Sequence, residues 1–358
     1  MKAIAVRRGS RSPEIVEMPR PSPASGEALV RTLRVGVDGT DHEVISGGHG
    51  SFPPREDFLV LGHEAVGVVV DPGDTDLREG ETVVPTVRRP PNGTNAYFER
   101  GEPDMAPEGM YRERGIDGAH GFMAEYFTSP AEDLVSLPDE LAPLGFLVEP
   151  ISIAEKALAH ARASRSAFDW RPESAIVLGN GSLGLLTLAM LDRAADFERL
   201  YCLGRRDRPD PTIDIIEDLG ATYVDSRRTP VATLPRAHES MDLVYEATGV
   251  AWHAFDGIRA LAPNGVLALL GVPGSWTFEI DGGDLHRDVV MHNKAVIGSV
   301  NSNRSHFGAA IDTLYDLPEA FLDDLVTGVH PLSAFEAAFD DDDTTIKTAV
   351  EFSAHEER

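Results

Sequence analysis

Short apolar runs separated by segments that contain Gly and Pro dominate the first 150 residues. In the stretches 27–33 and 65–70, apolar side chains either alternate with polar ones or form brief continuous runs. Runs of this length, bounded by turn-forming residues, are typical of β-strands. We therefore expect residues 1–150 to form an antiparallel, barrel-like β domain.

The pattern changes near Ile151, where helical periodicity begins directly after Glu149 and Pro150. From there, helix-like and strand-like segments alternate, which indicates a doubly wound parallel sheet. The predicted helices are 151–163 and 183–194, and the predicted strands are 175–178, 200–203, 242–246 and 266–270.

After residue 300 the pattern predicts one more helix over 307–317, and a tail, 346–352, that we expect to return to the first domain. This division assigns 1–150 and 301–358 to one domain and 151–300 to the other. A length of 358 residues suits two domains, and a hydrophobic fraction of 42% allows each its own core.

The charge of the chain is strongly negative, with 59 acidic residues against 32 basic ones and a formal net charge of −27. Such a field repels nucleic acids and anionic membranes, so we expect neither as a partner. Lysine occurs at only four positions, and arginine supplies the other basic residues. An acidic surface with few lysines suits a salt-rich cytoplasm, which predicts a halophilic protein. An acidic protein of ordinary cytoplasm is the alternative, and it explains the lysine shortage less well.

Neither a membrane span nor a secretory signal is expected. No stretch of eighteen apolar residues occurs, and the amino terminus reads as a first β-strand without a cleavage site. We expect a cytoplasmic location. Cys202 is the only cysteine, which excludes a disulfide framework, and its apolar neighbours predict a small buried side chain.

A glycine-rich segment joins the first predicted strand of the second domain to its helix. It runs Gly179, Asn180, Gly181, Ser182, Leu183 and Gly184. In a dinucleotide site, the first glycine permits a tight turn, the second admits the pyrophosphate and the third allows the helix to pack on the strand. An ordinary glycine-rich turn is the alternative, but the strand before it and the helix after it favour a dinucleotide site.

The end of the second strand bears on which dinucleotide is bound. NAD-binding proteins usually place an acidic residue there, whereas this chain has Arg205 and Arg206. Guanidinium groups attract a 2′-phosphate and bind it through paired hydrogen bonds. The pair therefore predicts a preference for NADP, with NAD tolerated. Two surface arginines engaged in ion pairs are the alternative.

Three separated segments of the first domain carry potential metal ligands: Asp38, His63 with Glu64, and Glu149. Each also has an ordinary explanation. Asp38 with Gly39 suits a turn, His63 suits a hydrogen-bonded core, and Glu149 suits the start of a helix. The spacing alone leaves a metal site and these explanations equally open.

In their order along the chain, these segments followed by a dinucleotide fold resemble the zinc-containing medium-chain alcohol and polyol dehydrogenases. Within that family the resemblance is strongest to archaeal glucose dehydrogenases. It rests on the segments 39–41, 87–90, 113–116, 121–126 and 300–301 and spans nearly the whole chain. The resemblance implies a GroES-like antiparallel β-barrel catalytic domain and a Rossmann NADP-binding domain.

The resemblance also implies one catalytic zinc bound by Asp38, His63 and Glu149, with Glu64 beside it or entering its coordination. Asp38 stands where the family usually has cysteine, and a carboxylate makes the site harder and less selective for zinc. Many relatives hold a second, structural zinc with four cysteines. Residues 90–110 contain no cysteine, so we expect no structural zinc.

The activity that the resemblance implies is oxidation of an aldose, glucose, at C1 to the lactone, with hydride transfer to NADP. Thr40 is expected to relay the proton and Glu64 to act beside the metal. The implied substrate-binding residues are Thr40, Glu113, Glu149, Asn301 and His292. For Glu113, a salt bridge with a neighbouring arginine is the alternative. A homodimer or homotetramer, built through edge strands of the nucleotide-binding domain, is expected.

Three other functions remain as alternatives. The first is another zinc-dependent polyol or alcohol dehydrogenase. The second is a metal-free quinone reductase of the same superfamily, which does not need Asp38, His63 and Glu149 together. The third is a non-catalytic NADPH-binding protein with a dehydrogenase-like fold.

Overall fold

A computed structural model describes residues 1–194, 196–340 and 342–355. The chain divides into two compact units. Unit 1 comprises Met1–Ser152, Asn301–Tyr315 and the segment from Val326 onward. Unit 2 comprises Ile153–Val300 and Asp316–Leu325.

The strands are numbered in chain order. They are β1 Lys2–Arg7, β2 Pro13–Glu17, β3 Glu27–Val37, β4 Phe58–Val60, β5 Ala65–Asp71, β6 Thr82–Pro85, β7 Arg88–Arg89, β8 Arg112–Arg114, β9 Gly118–Ala119, β10 Tyr126–Pro130, β11 Leu134–Ser136, β12 Ser174–Leu178, β13 Arg199–Gly204, β14 Thr222–Asp225, β15 Met241–Glu246, β16 Leu261–Leu269, β17 Ala295–Gly298, β18 Val326–Pro331 and β19 Lys347–Glu351.

The α-helices are numbered in the same way. They are α1 Gly39–Ser46, α2 Ala96–Glu99, α3 Val148–Ser164, α4 Ser182–Arg193, α5 Pro211–Asp218, α6 Leu234–Ala237, α7 His253–Ala260, α8 Gly282–Met291, α9 Arg304–Asp316 and α10 Glu319–Leu325. Short 3₁₀ helices cover Pro103–Met105, Ala131–Asp133, Asp139–Leu147, Val231–Thr233 and Leu332–Phe339.

Unit 1 is built around β3, which has eleven residues and pairs antiparallel with β5, β10 and β19. These strands belong to a seven-stranded sheet, and two three-stranded sheets complete the unit. Apolar side chains from β1, β3, β5 and the carboxyl-terminal segment share one core. The tail therefore returns to the first domain, as predicted, because β19 pairs with β3 from Val37 to Arg34.

Unit 2 contains a six-stranded parallel sheet in the order β14-β13-β12-β15-β16-β17. All five residues of β12 are buried, which explains why its sequence is a continuous run rather than an alternating one. Cys202 on β13 is also buried, as predicted, and burial raises the pKa of its thiol to about 12.

One helix and one domain boundary differ from the prediction. Helix α3 begins at Val148 rather than at Ile151, since Pro150 fits a first turn, where no amide hydrogen bond is required. The segment Asp316–Leu325 clusters with unit 2, although the prediction assigned all of 301–358 to the first domain. Its helix α10 packs on α5 of unit 2. No helix within the described residues is both long and apolar enough to cross a membrane.

Candidate metal centre and nucleotide site

Asp38 lies between β3 and α1 and caps the amino terminus of that helix. Its Oδ1 accepts a hydrogen bond from the amide of Asp41 at 3.0 Å, and Asp41 Oδ2 accepts one from the amide of Asp38 at 3.2 Å. The hydroxyl of Thr40 donates to Asp38 Oδ2 at 3.0 Å. This reciprocal cap fixes the carboxylate of Asp38 at one edge of the site.

His63 and Glu64 occupy the turn between β4 and β5. Gly62 has a φ of 84°, and a Cβ atom there would lie 2.5 Å from Met123 Cγ, so only glycine fits. The amide of Gly62 donates to Asp41 Oδ1 at 3.2 Å. Asp41 therefore connects the segment that carries Asp38 with the segment that carries His63.

The two segments bring three potential ligands together. His63 Nε2 lies 3.6 Å from Asp38 Oδ2. One ligand atom from each of Asp38, His63 and Glu64 lies within 4.8 Å of the other two. Glu149, in the first turn of α3, is outside this group of atoms, but it is buried and interacts electrostatically with His63.

The charges of this buried site are unbalanced. Burial, reinforced by Asp38, raises the pKa of Asp41 to about 7, and burial, reinforced by Glu64, raises that of Glu149 to about 8. Burial would also raise the pKa of Asp38, but the charge of His63 holds it well below its usual range. Burial lowers and Asp38 raises the pKa of His63, which lies well above its ordinary value. The acidic side chains of this site, Asp38, Asp41, Glu64 and Glu149, therefore outnumber its cationic side chains.

This donor set fits a zinc ion. An imidazole nitrogen and carboxylate oxygens are ordinary zinc ligands, and a divalent cation would offset the excess of negative charge. Asp38 is partly exposed, with 23% of its side chain accessible, so the site has an open side. The predominance of oxygen donors also makes the site less selective for zinc than a site with thiolates would be.

Two members of this site were not predicted from the sequence. Lys347, on β19, is fully buried and forms an ion pair with Glu64, and its Nζ also donates to the carbonyl of Val37 at 3.1 Å. Two signals were available in the sequence: lysine is rare in this chain, and Lys347 lies in a strand with apolar residues. From the sequence, Asp41 was only one residue of the segment 39–41. Its hydrogen bond with Gly62 depends on tertiary structure.

The predicted substrate-binding residues lie in different parts of the structure. Thr40 lies at the metal centre through its hydrogen bond to Asp38, and Glu149 lies outside the ligand group but interacts with His63. Asn301 has a φ of 57°, and its Oδ1 is buried without a hydrogen-bond partner among the described residues. Such a strained residue with an unsatisfied oxygen is often functional. His292 lies in unit 2 and is half exposed, and its Nδ1 is 2.8 Å from Asp288 Oδ1.

Glu113 takes part in the salt bridge that was weighed as its alternative role. Its Oε1 accepts from Arg88 Nε at 2.9 Å, and both side chains are buried. Arg88 also donates to the carbonyl of Asp104 at 3.0 Å. Asp104 is itself buried, with 4% of its surface exposed, and its Oδ1 accepts a hydrogen bond from Asn303 at 3.1 Å.

The glycine-rich segment in unit 2 has the geometry of a phosphate-binding turn. Gly179 has a φ of 118°, and a Cβ atom on Gly184 would lie 2.0 Å from the carbonyl oxygen of Gly179. At Gly181 the space is open, as an approaching pyrophosphate requires. Ser182 starts α4, whose first amides are available to an anion, with Leu183 in the same turn.

Arg205 and Arg206 follow β13 at the carboxyl edge of the sheet. Arg205 is exposed, and no carboxylate among the described residues pairs with it. Arg206 Nε lies 3.9 Å from Asp210 Oδ2, a loose ion pair. Within the described part of the chain, Arg206 thus takes part in an ion pair of the kind weighed as an alternative, whereas Arg205 does not.

Comparison with known families supports the class that this fold and site define. Residues 24–139 match the family described as "Alcohol dehydrogenase GroES-like domain". With the parallel sheet of unit 2, this confirms the predicted architecture, a GroES-like domain with a Rossmann domain, of a medium-chain dehydrogenase.

Residues 142–352 match the family described as "Glucose dehydrogenase C-terminus". A glucose 1-dehydrogenase of Haloferax mediterranei is 71% identical, and the alignment covers 99% of each chain. One of Halobacterium salinarum is 66% identical over 98% of this chain and 99% of that protein. The chain belongs to the glucose dehydrogenase family.

A solved structure shows the same fold in a complex. It is the Haloferax mediterranei glucose dehydrogenase with NADP, Zn and gluconolactone, which superposes with a TM-score of 0.98 at 71% identity. The alignment covers 99% of this chain and 100% of that one.

Proposed function

We propose that this protein is a glucose 1-dehydrogenase, which oxidises C1 of an aldose to the lactone while reducing NADP⁺ to NADPH and releasing one proton. The observation that carries the proposal is the buried group of Asp38, His63 and Glu64 in a chain 71% identical to a glucose 1-dehydrogenase. The group supplies the zinc ligands, and the relationship supplies the substrate class.

Asp38, His63 and Glu149 would hold the zinc ion, with Glu64 as a further residue available to it. With both groups bound, the site has a Lewis acid for the C1 hydroxyl and a hydride acceptor in the nicotinamide ring. Lys347 holds Glu64 through their buried ion pair, which orients that carboxylate when it is not a ligand.

Thr40 moves the proton. Its hydroxyl donates to Asp38 Oδ2, and a hydroxyl that donates one hydrogen bond still accepts others. Thr40 therefore accepts the hydrogen bond of the sugar hydroxyl at C1, and as it takes that proton it gives its own hydroxyl proton to solvent water, which reaches this partly exposed side chain. Both Thr40 and Glu64 are catalytic residues in this proposal.

The sugar is bound by Glu113, Asn301, Glu149 and, less directly supported, His292. Hydroxyl groups that leave water need polar partners in the site. Asn301 offers a buried oxygen without a partner among the described residues, and Arg88 holds the carboxylate of Glu113 in place. His292 supports the proposal least, since it is half exposed and engaged with Asp288.

NADP is the preferred cofactor, and NAD is tolerated. Gly179, Asn180, Gly181 and the start of α4 receive the pyrophosphate, and Arg205 with Arg206 receives the 2′-phosphate. The absence of an acidic residue at the end of β13 favours this preference, because a carboxylate there would repel the phosphate.

The protein is further proposed to act in the cytoplasm as a homodimer or homotetramer. Strand β17 is an edge of the parallel sheet, and Val290, Met291, Val296 and Val300 near it are exposed by 43–65%. Exposed apolar groups beside an unpaired strand edge suit pairing with a second copy. Light scattering in molar salt, with Val296→Lys as the disrupting variant, tests the assembly; an unaltered mass would contradict this interface.

A substrate panel tests the activity. Purified protein in molar salt is given glucose, galactose, xylose and sorbitol with NADP⁺ or NAD⁺, and NADPH or NADH formation is followed by absorbance. We expect turnover of glucose with NADP⁺ and little with sorbitol. Turnover of polyols without turnover of aldoses would assign the chain to another zinc-dependent dehydrogenase activity instead.

A further inference from the structure

The loop that carries Arg206 is held by a single tyrosine hydroxyl from the neighbouring strand. Tyr223, on β14, accepts a hydrogen bond from the amide of Arg206 at 2.8 Å and donates one to the carbonyl of the same residue at 3.0 Å. A hydroxyl has one donor and two acceptor sites, so both bonds form together. The hydroxyl of Tyr223 therefore holds the backbone of Arg206 through both its amide and its carbonyl group.

A second side chain reinforces this clamp. Arg227 donates to the carbonyl of Arg206 at 3.3 Å, and its guanidinium is also bonded to Asp207 and Asp225. Arg208 is likewise engaged by Glu217. These two arginines are paired with carboxylates.

A buried polar chain links Arg206 to the glycine-rich segment. Asn180 donates to Thr212 Oγ1 at 2.6 Å, and the amide of Thr212 donates to Asp210 Oδ1 at 3.0 Å. The other oxygen of Asp210 faces Arg206 at 3.9 Å. Asp210 and Thr212 are each at most 6% exposed. These two buried residues fix the start of α5 beside the loop of Arg206.

Space for an anion exists at this place. A cavity of about 510 Å³ is lined by Arg206, Tyr223 and Asp225 at the carboxyl ends of β13 and β14, together with Arg208 and Arg228. Tyr223 thus forms part of the wall and also fixes the backbone from which the guanidinium of Arg206 projects.

We propose that Tyr223 is a positioning residue that sets the preference for NADP over NAD by holding Arg206 through its backbone. The inference rests on the proposed use of NADP. Only NADP carries the 2′-phosphate, so loosening this loop weakens its binding while the pyrophosphate and nicotinamide contacts, common to both cofactors, remain. A preorganised loop loses less conformational freedom when it binds the phosphate.

The variant Tyr223→Phe removes only the hydroxyl and leaves the aromatic ring. The dissociation constants for NADP⁺ and NAD⁺ are measured by isothermal titration calorimetry in molar salt, with wild type alongside. Losing two hydrogen bonds to one backbone unit is expected to raise the Kd for NADP⁺ about fivefold to tenfold. The Kd for NAD⁺ should change less than about twofold.

Tyr201→Phe is the matched control, because Tyr201 lies on adjacent β13 and its hydroxyl donates to Glu239 at 2.8 Å, away from Arg206. It should leave both constants unchanged. A melting curve of each variant without cofactor verifies that the fold is intact.

Three results would overturn the inference. If wild type prefers NADP⁺ and Tyr223→Phe leaves both dissociation constants unchanged, the positioning role is wrong and the cofactor proposal stands. Equal weakening of both cofactors would assign Tyr223 a general structural role. A wild type without any preference would overturn the cofactor proposal and this inference together.

Discussion

The candidate metal centre and the candidate nucleotide site differ in the feature that suits each to its ligand. That feature is side-chain charge at the first and backbone shape at the second. The nucleotide site is one contiguous segment in which backbone shape dominates, with Gly179 at a positive φ and α4 starting at Ser182. The candidate metal centre brings together Asp38, His63 and Glu64 from two segments that lie apart in sequence, and it depends on side-chain charge. A phosphate-binding turn needs glycine at fixed spacing along the chain. A cluster of buried charges needs only a fold that brings suitable side chains together.

This difference explains what could be predicted from the sequence. The glycine segment and the alternating elements of unit 2 have local causes, so the Rossmann architecture follows from the pattern. The residues Asp38, His63, Glu64 and Glu149 had ordinary explanations one by one, and only the family resemblance joined them. Geometry then brought three of the four within 4.8 Å.

The remaining features depend on tertiary contacts. Lys347 is far from Glu64 in sequence, and no local pattern relates them. Tyr223 on β14 forms a hydrogen bond with the backbone of Arg206, which follows β13. Asp104 accepts a hydrogen bond from Asn303 on a distant segment. A side chain's partner, unlike its helix or strand, is set by the packing of the whole fold, which the sequence pattern does not specify.

Removing a ligand from the metal centre is expected to have the largest effect. His63→Ala should abolish zinc binding and reduce kcat/KM for glucose about a thousandfold or more, because the Lewis acid contributes several kcal/mol. Zinc content by mass spectrometry and steady-state kinetics measure this. His49→Ala, at an exposed histidine of the same unit, is the control and should behave as wild type. Full zinc content in His63→Ala would exclude His63 as a ligand.

The buried ion pair of Lys347 with Glu64 tests whether charge balance also stabilises unit 1. Lys347→Met leaves a buried carboxylate without its partner and should lower the free energy of unfolding by about 3 kcal/mol. Denaturant titration of the metal-free protein measures this. Lys2→Met, at an exposed position, should change little. If both variants unfolded alike, the ion pair would not be needed for stability.

The arginine pair tests the nucleotide side of the comparison. Replacing Arg205 and Arg206 together by alanine should raise the KM for NADP⁺ about thirtyfold or more, since hydrogen bonds between charged groups contribute about 1.5–3 kcal/mol each. The KM for NAD⁺ should rise far less. Arg171→Ala, a surface arginine paired with Asp169, is the control. Equal effects on the two cofactors would argue against recognition of the 2′-phosphate.

Asn301 tests sugar binding with the smallest expected effect. Asn301→Ala should raise the KM for glucose about tenfold through loss of a hydrogen bond and leave the KM for NADP⁺ unchanged. Asn293→Ala is the matched control, because Asn293 also has a positive φ, of 50°, and therefore suffers the same backbone strain. A similar loss in both variants would attribute the effect to strain alone.

The central claim, one catalytic zinc in an oxygen-rich site, is tested most directly by titrating zinc into metal-stripped protein. Glucose-dependent NADPH formation is measured after each addition, together with bound zinc, in wild type and in Asp38→Cys. We predict that activity in wild type rises with zinc and saturates at one ion per chain, and that Asp38→Cys binds the ion more tightly. Activity that is independent of zinc, or loss of zinc binding in Asp38→Cys, would contradict the assignment.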